Sequence, residues 1–234
     1  MTGARYAVYF APAEDSALNR LASRWLGRCA YTGTRYPPTG VGEITPAAQE
    51  EITAEPRRYG FHATLKPPFR LPQGRTATEL LTAVESFAAA RPRIILPGLR
   101  VARLGRFLAL VPERASPELE ALAADCVVTF DRFRAPPGEA ELARRRSRDL
   151  TRRQEELLLA WGYPYVMEEF RFHMTLTGPL APETGESVLP ALQETFDPVC
   201  GTSFVLDALT VFGQFDPAGD FRVVARYLLG EISG

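Results

Sequence analysis

The sequence predicts an α+β fold, bilobed, with two pseudo-symmetric antiparallel sheets backed by helices and a cleft between the lobes. Three observations predict it. Strand-like runs are joined by short turns, at Gly105 between residues 94–104 and 107–111 and at Asp216–Asp220 between 204–212 and 221–229. Segments with helical apolar spacing lie between these strand pairs, without the regular alternation that a doubly wound parallel sheet demands. The order of elements also occurs twice: a strand bearing a histidine, a breaker containing proline, a helix, then two strands joined by a turn. The 234 residues read as a single bilobed domain, 1–234, made of two intertwined lobes.

The elements follow in order. Residues 5–11 form an apolar strand, and 16–29 a helix with Leu18, Leu21, Ala22, Trp25 and Leu26 on its buried stripe. Residues 31–59 are rich in Gly, Pro and Thr and read as a long loop, a length that in a compact domain points to function. A strand over 59–66 is stopped by Pro67-Pro68 and followed by a helix over 77–90. After the strands at 94–104 and 107–111 come a helix over 117–130 and a charged helix over 139–161, closed by Gly162 and Pro164. The second histidine strand runs over 169–177 and stops at Gly178-Pro179; a short helix at 186–195 and two strands complete the chain.

Composition bounds the function. Hydrophobic residues make up 46% and charged residues 24%, an ordinary globular balance, and the net charge of -1 supplies no global field for nucleic acid or anionic membrane. Cys29, Cys126 and Cys200 are far apart and show neither CxxC pairing nor zinc spacing, which points to buried free thiols in a reducing compartment. The opening residues do not form a signal peptide, and no stretch approaches the roughly 20 apolar residues of a membrane span. The expectation is a soluble, cytoplasmic protein with no membrane partner; its oligomeric state is left open.

The chemistry rests on the only two histidines. Phe61-His62-Ala63-Thr64-Leu65 and Phe172-His173-Met174-Thr175-Leu176 are both Phe-His-x-Thr-Leu. On a strand, residues i and i+2 share a face. His62 and Thr64 therefore point one way, as do His173 and Thr175, while the apolar residues between them point into a core. Two such strands side by side place two imidazoles along one cleft. Histidine titrates near pH 6.5, so one ring can accept a proton from water or a hydroxyl while the other donates one to a leaving oxygen. The threonine hydroxyls can donate to nonbridging phosphate oxygens. Lys66 and Arg171 fall on the same faces by parity and are candidate phosphate contacts. No metal site and no cofactor are required, because no HExxH, carboxylate cluster or Cys/His cage is present.

The paired motifs resemble the 2H phosphoesterase superfamily, which includes cyclic nucleotide phosphodiesterases and RNA 2′,5′-ligase-like proteins. The longer strings Tyr59–Phe69 and Phe170–Gly178 are similar to a bacterial branch associated with phosphonate degradation. The resemblance implies a bilobed fold, metal-independent phosphoester chemistry in a central cleft, catalytic roles for His62 and His173, and phosphate contacts for Thr64 and Thr175. Its phosphonate association implies a small cyclic phosphate of a sugar as substrate. The leading expectation is thus a metal-independent phosphodiesterase acting on a small cyclic phosphodiester. The rivals are an RNA 2′,5′-ligase or RNA end-processing phosphodiesterase, and a sensor that binds a phosphorylated ligand without turnover.

Weaker features have plainer readings. The basic run Arg144–Arg148 with Arg152 and Arg153 is interleaved with Glu139, Glu141, Asp149, Glu155 and Glu156, as on a solvated helix with i,i+4 pairs, although an arm gripping RNA or a second phosphate is the alternative. The aromatic cluster at 161–165 is expected to pack the helix end against a lobe. Tyr6 and Tyr9 are expected in the core with a wet hydroxyl, lining the cleft being the alternative.

Overall fold

The computed structural model describes residues 3–146, 149–201 and 203–231, and within them the α+β class is present. Nine strands, β1 (Arg5–Phe10), β2 (Ala63–Arg70), β3 (Ile94–Leu96), β4 (Leu99–Leu104), β5 (Phe107–Pro112), β6 (Met174–Thr175), β7 (Phe204–Leu206), β8 (Ala208–Gln214) and β9 (Arg222–Leu228), form two sheets among the described residues. The large sheet has the order β4-β5-β6-β2-β1-β8-β9 with antiparallel pairing throughout; β3 and β7 make a small antiparallel pair of their own. The two expected sheets are thus two halves of one, β4-β5-β6 and β2-β1-β8-β9, joined where Ala63 on β2 pairs with Met174 on β6.

Seven helices accompany the sheets among the described residues: α1 (Ala17–Leu26), α2 (Pro46–Tyr59), α3 (Ala77–Ala89), α4 (Pro117–Thr129), α5 (Glu139–Arg146), α6 (Arg152–Trp161) and α7 (Pro182–Phe196). One face of the large sheet carries the main core. Ala63, Leu65 and Met174 from the central strands join Leu80 and Val84 of α3, Leu122 and Cys126 of α4, and Val188 and Leu192 of α7 there, all buried. The other face carries a smaller cluster, Ala7, Tyr9 and Phe212 with Ala30 and Phe221, against which Tyr31 and Tyr59 pack.

Several boundaries differ from the sequence reading, each for a local reason. The long loop contains α2, whose Thr45 side chain caps the first turn by accepting from Ala48 N, with Pro46 preset for the first helical position. Strand β2 begins later, at Ala63, and runs through Pro67-Pro68 to Arg70. The charged segment is two helices, and Thr151 starts the second with a capping box to Gln154. The second histidine strand shrinks to Met174–Thr175, and α7 is longer than expected. The cysteines are all free; Cys29 and Cys126 are buried, whereas Cys200 is only partly so. Among the described residues no helix is long and apolar enough to cross a membrane.

Candidate active site

The site is built at the seam of the sheet. With Ala63 opposite Met174, an antiparallel register places His62 opposite Thr175 and Thr64 opposite His173. Ala63 and Met174 are sealed in the core, so their neighbours point to the opposite face. His62, Thr64, His173 and Thr175 accordingly share one face on adjacent central strands, all four half-buried. The arrangement has local two-fold character: each histidine has its own threonine two residues on and the other threonine across the seam.

Backbone carbonyls fix both rings. His62 Nδ1 lies 2.9 Å from the carbonyl of Gly60, and His173 Nδ1 lies 2.7 Å from that of Arg171. A carbonyl accepts only, so each Nδ1 carries the proton and each Nε2 is left with a lone pair. Thr64 Oγ1 sits 3.3 Å from His62 Nε2. Gly60 holds a left-handed φ of 77° where α2 ends, and a Cβ there would come within 2.5 Å of Ala30 Cβ, so the turn that aims this carbonyl requires glycine. The buried Arg28 guanidinium braces the same turn by donating to the carbonyls of Arg57, Arg58 and Phe221.

The two imidazoles differ in surroundings. Tyr9 stacks on His62 with ring centroids 3.8 Å apart and planes 18° from parallel; Phe212 and Tyr59 lie at 5.8 and 6.3 Å. His173 has Phe107 at 5.4 Å, tilted by 49°. Loss of solvation among these rings pushes His62 down to about 4, with the Gly60 carbonyl opposing and His173 adding to the shift. Burial also lowers His173, against the bond to the Arg171 carbonyl. Both rings are therefore neutral near pH 7 in the free protein, and an anion bound between them would favour protonating one.

The remaining nominated residues separate. Arg171 is exposed, two residues before His173 in the chain. Lys66 is not: it is 1% exposed, and its ammonium donates to Val127 O at 2.9 Å and Asp131 Oδ1 at 3.2 Å beneath α4. The parity count fails because of a β-bulge. Val8 pairs with Lys66 but Tyr9 pairs with Thr64, so Leu65 is an extra residue and Lys66 turns to the core side with Val8. Lys66 is thus withdrawn as a phosphate contact. Tyr6 is in the main core, whereas Tyr9, though buried, stacks on His62, which the sequence left as the lesser alternative. The carbonyl partners Gly60 and Arg171 were not foreseen, because backbone direction at a strand start is not written in residue type.

The basic run is largely neutralised. Arg145 pairs with Glu141, Arg146 with Glu155, Arg152 with Glu156, and Arg153 with Glu156 and Glu168. Ser147 and Arg148 lie outside the described residues, as does the Arg144 side chain. Trp161 and Tyr163 pack against Val127, Leu157 and Val166, as expected of a helix end docked on its lobe.

Residues 64–222 match the family described as protein of unknown function (DUF1045). The chain belongs to this family. It is 40% identical over 221 residues to ribose 1,5-bisphosphate phosphokinase PhnN of Janthinobacterium sp. (strain Marseille), covering 93% of this chain and 49% of that protein. It is 36% identical over 178 residues to the protein of the same name from Laribacter hongkongensis (strain HLHK9), covering 75% of this chain and 40% of that one. This DUF1045 chain thus spans about half the length, or less, of these relatives. Among solved structures, TT0787 of Thermus thermophilus aligns with 98% of the chain and all of its own at 14% identity and a TM-score of 0.48. E. coli LigT complexed with 3′-AMP aligns with 97% of the chain and 99% of its own at 12% identity and a TM-score of 0.41.

Proposed function

We propose that this chain is a metal-independent phosphodiesterase that opens a small cyclic phosphodiester on a sugar phosphate, with His62 and His173 as acid–base pair. The observation that carries the reading is the Ala63–Met174 pairing, which sets two Nε2-available imidazoles and two hydroxyls along one face. One ring takes a proton from water as the water oxygen bonds to phosphorus. The other gives a proton to the sugar oxygen as its bond to phosphorus breaks, and the product is a phosphomonoester. Thr64 and Thr175 donate to the nonbridging oxygens, with Arg171 supplying positive charge at the rim. The proton-transfer roles are typically worth about 10²–10⁴-fold each.

The names of the relatives support the substrate class. They are named for ribose 1,5-bisphosphate. Opening a phosphate ring that joins O1 of ribose 5-phosphate to a neighbouring hydroxyl oxygen yields ribose 1,5-bisphosphate when the bond to the hydroxyl oxygen is the one broken. A cyclic diester of ribose 5-phosphate is therefore the substrate to try first, in keeping with the phosphonate association of the sequence resemblance. The ion-paired arginines of α5 and α6 favour a small substrate over RNA, since each such pair removes a charge that a nucleic-acid arm would use.

Purified protein screened against sugar and nucleotide cyclic phosphates and 2′-5′ linked RNA tests this. Turnover of a sugar cyclic phosphate is expected, with His62→Ala and His173→Ala each lowering it about 100-fold or more and chelator changing little. Activity abolished by chelator and restored by a divalent metal would overturn the metal-free mechanism. Salt-sensitive RNA processing would favour the nucleic-acid reading, and saturable binding without product would favour a sensor.

A further inference from the structure

The seam makes the two histidines nearly equivalent by symmetry, and one residue breaks the equivalence. Each ring donates Nδ1–H to the carbonyl two residues before it, and each faces a threonine on either side of the seam. Under His62, however, lies a whole phenol ring in parallel contact, whereas His173 meets Phe107 only at a tilt. Tyr9 is 1% exposed and pairs with Thr64 across β1 and β2, so its position is set by the sheet rather than by a mobile side chain.

We infer that Tyr9 is a positioning residue that keeps His62 neutral and aimed, assigning His62 the role of base and His173 the role of acid. This rests on the phosphodiesterase reading above and deepens it. Two effects compete at the stacked face. An aromatic face attracts an imidazolium, but a ring that removes water from one whole side of the imidazole penalises the cation when the site is enclosed. Here Tyr59 and Phe212 complete the enclosure, and desolvation is the largest influence on His62. Tyr9 sits opposite Thr64 in the β1–β2 pairing, and burial keeps its phenol protonated. In the free protein the His62 Nε2 lone pair accepts from the Thr64 hydroxyl at 3.3 Å, and an incoming phosphate oxygen and water take over the two ends of that contact. His173 lacks such a stacked ring and is the one that takes up a proton when the anion binds.

Among the described residues, the following titratable groups act on this pair. His173 faces His62 from β6; Tyr59 at the end of α2, Arg5 on β1 and Tyr163 beyond α6 face Tyr9. None is a carboxylate whose ionisation would mimic the effect.

The chain has only two histidines, so the imidazole signals of a heteronuclear NMR titration number two and are assigned with His62→Gln and His173→Gln. In the wild type, His62 is expected to titrate below His173. Tyr9→Leu should raise the His62 midpoint by about one unit or more while moving His173 by less, and the acidic limb of kcat/KM should move with it. Tyr9→Phe keeps the stack and should leave the His62 midpoint in place; it also serves if the leucine variant fails to fold, because the order of the two wild-type midpoints then decides. A wild-type order with His173 lower, or a Tyr9→Leu variant that moves both rings equally, overturns the assignment. If the titrations behave as expected but neither histidine variant affects turnover, the asymmetry stands and the phosphodiesterase reading falls.

Discussion

A ring nitrogen committed to a backbone carbonyl cannot wander between tautomers. The Gly60 and Arg171 carbonyls therefore determine which nitrogen of each histidine can do chemistry. The His-x-Thr spacing was legible from strand parity alone, because period two is a property of any extended chain. The stacked Tyr9 was only an alternative, since its partner is 53 positions away and the contact depends on strand pairing. Enclosure of His62 has a thermodynamic signature. Its folded pKa, about 4, lies below the unfolded value of 6.5, so the unfolded chain binds more protons between these pH values and stability falls as pH drops through that window. Linkage puts the loss between pH 7 and pH 5 at no more than about 2 kcal/mol, partial solvent access reducing it. Urea denaturation at both pH values should show that difference shrinking in His62→Gln. An unchanged difference would mean that other groups govern acid stability.

At the scale of elements, a single extra residue decides what strand parity cannot. The bulge at Leu65 turns Lys66 away from the histidines and into an ion pair with Asp131, which also holds Arg134. Burial lowers the lysine to about 8 despite the carboxylate. Lys66→Met is expected to retain wild-type kcat/KM toward a cyclic phosphate within a few fold, while destabilising the fold by about 1–3 kcal/mol through the unpaired Val127 carbonyl and Asp131. Steady-state kinetics beside a denaturation curve check this; a loss of 100-fold in turnover at full folding would restore Lys66 to the site. Helix positions were largely legible because Ser16, Thr76 and Ser116 cap α1, α3 and α4 at the start of apolar periodicity. Helix α2 was hidden because its Pro56 and surrounding Gly and Pro outweighed the Thr45-Pro46 start signal.

Across the whole molecule, the repeated element order was legible, but not how the repeats interlock. The hairpin β4–β5 follows the first histidine strand in sequence yet lies beside the second, β6; the hairpin β8–β9 follows β6 yet joins the β1–β2 pair. Each half of the sheet therefore draws on both repeats. Trp25 of α1 adds a tie by donating its indole N–H to the carbonyl of Leu176, just past β6. Cooperative loss is expected: in a Trp161→Phe variant, leaving Trp25 as the sole indole, fluorescence and turnover should fall at the same urea concentration. Activity vanishing well before the fluorescence change would reveal a seam that opens on its own. The interlocked hairpins also bear on the nascent chain. Because β8 borders β1, the pairing of β1 cannot be completed until Gln214 has left the ribosome, and β1 must wait, unsatisfied along one edge, for a partner synthesised some two hundred residues after it.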